Sequence, residues 1–102
     1  MAVTRSFKSM VEDRLARDPG FREALLRESV ETILAGDMET GKAVLRDYIK
    51  ATIGFTALSE RIGTPSKSLI RMFGPKGNPN AYNLFKVLGH LQKHAGIQLH
   101  IS

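Results

Sequence analysis

The chain has 102 residues, 42% of them hydrophobic, with no Cys, no Trp and a formal net charge of +5. It is long enough for one compact domain and too apolar for a disordered one, and the missing Cys removes disulfides, thiol nucleophiles and Cys-held zinc. No apolar run approaches the ~20 residues of a membrane-spanning helix, and the opening MAVTRSFKSMVEDR lacks the apolar core of a secretory signal, so a cytoplasmic protein without membrane contact is expected.

Phe7, Met10, Val11 and Leu15 follow helical spacing and predict an amphipathic helix over 5–17. Asp18-Pro19 is a start signal, a capping carboxylate before proline at the first helical position. Phe21, Leu25, Leu26, Val30, Ile33 and Leu34 carry that second helix to about Ala35, and Gly36 suits its left-handed stop. Asp37 can cap a third helix with Val44, Leu45, Tyr48, Ile49 and Ile53 as its buried stripe, ended by Gly54. Leu58 and Ile62 mark a helix of two turns ending at Gly63. Thr64-Pro65 then supplies cap and first turn for another, with Leu69, Met72 and Phe73 apolar. Residues 74–80, Gly-Pro-Lys-Gly-Asn-Pro-Asn, read as a loop. Asn80 can cap a final helix carrying Leu84, Phe85, Val87, Leu88 and Leu91, closed by Gly96. Ile97, Leu99 and Ile101 alternate with Gln98 and His100, the period of a half-buried strand. A lone strand of that length needs a partner. No other segment reads clearly as a strand, so a second copy of the chain is the expected one. The expected fold is all-α: five to six short helices around a central helix-turn-helix, plus this short C-terminal β-strand. Residues 1–54 form a helical extension packed on the core, and 55–102 the helix-turn-helix region.

The charge is unevenly spread. Residues 1–60 carry nine Lys and Arg against ten Asp and Glu, a net −1. Residues 61–102 carry Arg61, Lys67, Arg71, Lys76, Lys86 and Lys93 with no carboxylate, a net +6. Such a one-signed field attracts polyanions, of which nucleic acid is the commonest. The bland alternative is a basic solvated face.

Residues 56–73 have the layout of a helix-turn-helix, and its physical requirements can be checked singly. Two short helices that cross steeply need a small residue where they approach, and Ser59 is small. The turn needs a residue tolerant of positive φ, which Gly63 supplies. Leu58, Ile62, Leu69 and Met72 occupy core-facing positions, leaving Ser66, Lys67, Ile70 and Arg71 outward, none of them acidic. The second helix is then the reader of the major groove. Arg71 is the candidate for a bidentate guanine contact, Lys67 for a base or a phosphate, and Ser66 and Ser68 for base edges or phosphate. Thr56 can contact a phosphate near the start of the first helix, and Thr64 stands at the start of the second. Lys76, Gly77, Asn78 and Asn80 can hold the flanking backbone. The competing reading is that two short helices joined at glycine occur in many domains that bind no DNA.

On Leu58, Ser59, Gly63, Ser68, Leu69, Gly77-Asn78-Pro79, Leu84, Val87-Leu88 and Leu99, the stretch from Phe55 to Ile101 resembles helix-turn-helix regulators of the phage repressor and Cro type. More narrowly, it resembles addiction-module antidote proteins, the antitoxin halves of toxin–antitoxin pairs. The resemblance covers about half the chain. It implies a lambda-repressor-like fold and a dimeric, sequence-specific duplex DNA-binding repressor, with a cognate toxin as a possible protein partner. Two departures stand out: Ser59 where alanine is commonest, and no glutamine at the start of the first helix.

Other function classes fare worse. His90 and His94 are four apart on a predicted helix, but no carboxylate or Cys follows residue 60 to complete a metal site. No nucleophile-elbow or P-loop spacing occurs, so no enzyme, cofactor or metal is expected. A protein-interaction module without DNA binding is the runner-up, since the mixed-charge N-terminal helices can bind another protein. RNA binding calls for exposed aromatics, and Phe73, Tyr82 and Phe85 read as core or boundary residues.

Overall fold

A computed structural model describes residues 3–95, with side chains from residue 9 onward. These residues form six helices: α1 (Val3–Arg17), α2 (Pro19–Leu34), α3 (Met38–Ala51), α4 (Phe55–Ile62), α5 (Ser66–Met72) and α6 (Ala81–Ala95). No strand occurs among the described residues, and the strand expected over 97–101 lies outside them.

Three expected start signals act as such. The Asp18 carboxylate accepts from the Phe21 amide at 3.1 Å, and Pro19 opens α2. The Asp37 carboxylate accepts from the Thr40 amide at 3.1 Å, and Asn80 Oδ1 from the Asn83 amide at 2.8 Å. Each satisfies an amide that the helix itself cannot. The Phe21 amide, and after it the Arg14 guanidinium, holds Asp18 below the usual aspartate range. The hydroxyl and amide of Thr40 do the same for Asp37.

Other boundaries differ. α3 ends at Ala51, with Thr52 and Ile53 in the turn that follows; Gly54, at a positive φ of 84°, donates to the Ile49 carbonyl at 2.7 Å and so closes α3 as expected, while also standing at the N-cap of α4. Pro65, not Thr64, is the N-cap of α5, and no side chain caps that helix. Pro65 has an extended ψ of 142°, which its fixed φ of −56° permits, so the helix begins one residue later than the cap-plus-proline pattern implies.

α2 packs on α3 and α1 on both, while α4 packs on α5 and α6, and α2 reaches α6. The two groups share one apolar cluster. Leu15, Leu26, Leu45, Tyr48 and Ile49 from the first join Leu58, Leu69, Phe73, Val87 and Leu91 from the second. Several expected stripe residues stay out of it: Met10, Leu34 and Phe85 are exposed. Among the described residues, no neighbouring element buries these positions. Two buried hydroxyls contrast. Ser29 donates to the Leu26 carbonyl at 2.7 Å, whereas Tyr48 Oη has no partner among the described residues. Burial raises the Tyr48 pKa above the ordinary tyrosine value, partly offset by the Arg22 charge.

Candidate nucleic-acid interface

α4 buries Phe55, Leu58 and Ile62, one face of a short helix, and exposes Thr56 and Glu60. Its end is set by Gly63, which adopts the left-handed conformation (φ 72°, ψ 24°) that costs any residue with a Cβ. The Gly63 amide donates to the Ser59 carbonyl at 2.9 Å. The chain then turns through Thr64 and Pro65 into α5, whose Leu69 is fully buried. Phe73 follows at the end of α5, its ring 6.4 Å from that of Phe55. A helix of seven residues has too few internal hydrogen bonds to persist alone, so this packing holds it.

Burying Leu69 and Phe73 turns Lys67, Ser68, Ile70 and Arg71 to solvent. Ser66 and Thr64 are half-buried. Beyond α5 the chain reverses through 73–80, with Gly77 pressed against it. A Cβ on Gly77 would run into the carbonyl oxygens of Arg71 and Met72, so only glycine permits that approach. The reversal opens a surface depression of about 310 Å³, lined chiefly by Ser68, Arg71, Lys76, Asn78, Asn80 and Asn83. Met72 and the buried Pro79 contribute the apolar part of its wall.

Five of the nine candidate contact residues therefore converge: Ser68, Arg71, Lys76, Asn78 and Asn80. Lys67 is exposed on α5 outside the depression, Thr56 is exposed on α4, and Thr64 and Ser66 sit half-buried at the start of α5. No carboxylate lines the depression. The ion pairs among the described residues, Arg14 of α1 with the Asp18 cap and Arg27 with Glu23 within α2, leave the cations of α5 and the loop unpaired. With guanidinium, ammonium, hydroxyl and amide donors on one concave face, the surface suits an anion rich in acceptor oxygens.

Two features escape a reading by local pattern. Asn83 joins the depression one turn into α6. Lys42 of α3 is buried at 4% exposure and donates to the carbonyls of Gly74 and Gly77 at 2.9 and 2.6 Å. Lys42 lies in line with the apolar stripe, three residues before Leu45 and seven before Ile49, which marks it as core-facing, but nothing local marks its distant partners. Phe73 is buried as a core residue should be, while Tyr82 and Phe85 are 73% and 53% exposed, against the core or boundary reading that set RNA aside. His90 is half-buried and His94 exposed, and no group of three or more His, Cys, Asp or Glu able to hold a metal occurs among the described residues.

No family model, curated protein or solved structure matches the chain. Among the described residues, no helix is long and apolar enough to cross a membrane.

Proposed function

We propose that this chain is a sequence-specific duplex DNA-binding regulator, with α4 and α5 acting as a helix-turn-helix and α5 as the element that enters the major groove. The supporting observation is the convergence of Ser68, Arg71, Lys76, Asn78 and Asn80 on one face that no carboxylate interrupts. In this reading Arg71 and Lys67 meet base edges or phosphates, and Ile70, half exposed between them, touches a thymine methyl. Lys76, Asn78 and Asn80 grip the flanking backbone and fix register. The regulator binds as a two-fold dimer on a palindromic site with half-sites about one helical turn apart. Autorepression as an antitoxin is the narrower form of the same proposal.

Selection from a random duplex pool tests it. Enrichment of a palindromic sequence bound far more tightly than a scrambled duplex supports the proposal, and recovery of an unenriched pool defeats it. A second reading, a partner-binding helical module without nucleic acid, is favoured by the exposed Tyr82 and Phe85 on α6. It gains if the chain binds no duplex at physiological salt.

A further inference from the structure

Lys42 is the only buried charged side chain among the described residues, and it forms no ion pair there. Removing an ammonium from water is costly unless hydrogen bonds replace the lost hydration. Here the carbonyls of Gly74 and Gly77 do so, reached across 32 and 35 residues of sequence. One helical turn later, Arg46 donates to the Phe73 carbonyl at 3.5 Å. Two cations of α3 therefore face the carbonyls at the C-terminal end of α5 and the turn beyond it. Carbonyls at a helix end have no partners within the helix and carry partial negative charge, so cations are favoured there. The turn's own backbone bonds are few: Gly74 amide to Arg71 carbonyl at 3.1 Å and Gly77 amide to Gly74 carbonyl at 3.0 Å.

Lys76 stands between the two gripped carbonyls, and Asn78 follows the second. Whatever fixes Gly74 and Gly77 fixes where those two side chains stand relative to Ser68 and Arg71. We propose that Lys42 is a positioning residue: from behind the interface, its ammonium holds the 74–78 turn so that Lys76 and Asn78 face the same ligand as α5. This rests on the duplex-binding reading, and it gives the N-terminal helices a role in that binding beyond covering the core.

The test uses the full chain with Lys42→Met, which keeps the apolar stem and removes the donors, and Lys42→Arg, which keeps a cation. Two quantities are read: amide hydrogen exchange over 74–80 without DNA, and affinity for the selected duplex. Lys42→Met should speed exchange at 74–80 while leaving α2 and α3 protected, and should weaken duplex binding about tenfold, the loss expected when charge-assisted hydrogen bonds are removed. Lys42→Arg should recover part of both. Unchanged exchange at 74–80 overturns the clamp, and faster exchange with unchanged affinity overturns the positioning role. Should Lys42→Met not fold, Gly77→Ala displaces the same turn, and with it the carbonyl Lys42 grips, while keeping the ammonium itself, and unchanged duplex affinity in that variant overturns the proposal. A wild-type chain that binds no duplex defeats the underlying reading instead, and the exchange comparison then still decides whether Lys42 holds the turn.

Discussion

The chain handles charge in opposite ways before and after residue 60. α1 to α3 mix both signs, and two of their cations are neutralised one turn away, Arg14 by Asp18 and Arg27 by Glu23. From residue 61 onward the chain has cations alone. Both groups contribute to one core, so the difference lies on the surface and not in how each half is stabilised. A one-signed surface costs self-repulsion that a mixed surface avoids. That cost falls where α5 and the 74–80 loop meet, which is where an incoming polyanion would relieve it. The first half also supplies long helices of 14 to 16 residues, against eight and seven for α4 and α5. A short, charged pair of helices is thus carried by a longer, better neutralised frame.

The contrast can be broken in steps. The largest effect belongs to the shared core. Leu45→Ala, at a fully buried position in the frame, should cost about 2–5 kcal/mol of stability by urea unfolding, in one transition for both halves. Two separate transitions would mean that the halves do not share a core. Next comes Arg71→Ala, expected to weaken binding to the selected duplex by about 1–3 kcal/mol and relax base preference while leaving Tm unchanged. Equal losses on selected and random duplexes would make Arg71 a phosphate contact. Lys76→Ala should lower affinity for every duplex and reduce the slope of log affinity against log salt by about one. A constant slope would take the loop out of the interface.

The smallest effect is in the frame. Tyr48 Oη is buried with no partner among the described residues, so Tyr48→Phe should leave stability unchanged or raise it by up to ~1 kcal/mol, and a clear loss would reveal a partner outside them. Its pH dependence has a definite sign. Burial raises the folded-state pKa of Tyr48, so the unfolded chain releases this proton first. The contribution is complete below pH ~10 and is lost as pH rises above that. Tyr48→Phe should flatten that alkaline decline. The Asp18 and Asp37 caps act at the other end, weakening as pH falls below the usual aspartate range.

The helices were legible because their ends are written locally. Asp18-Pro19, Asp37, Gly63 and Asn80 each act within a few residues of where they stand. Thr64-Pro65 misled because proline suits both the first helical position and an extended cap, and only the path of the chain decides between them. Met10, Leu34, Phe85 and Tyr82 show a second limit. Helical spacing reveals that apolar residues share a face but not whether another element covers it. Lys42 shows a third: its stripe position is visible in sequence, while its carbonyl partners are brought near only by the fold. Among the candidate contacts, exposure of Lys67, Ser68 and Arg71 followed from the burial of Leu69. The gathering of Lys76, Asn78 and Asn80 beside them depended on the loop's reversal at Gly77.

On the proposed reading, duplex DNA lies against α5 and the 76–80 loop. Titrating the labelled protein with the selected duplex and following each backbone amide by NMR tests it most directly. The largest shifts should fall on Lys67, Ser68, Arg71, Lys76, Asn78 and Asn80, with α1 and the exposed side of α2 undisturbed. Shifts centred on Tyr82 and Phe85 with α5 silent, or none at any site, would contradict it.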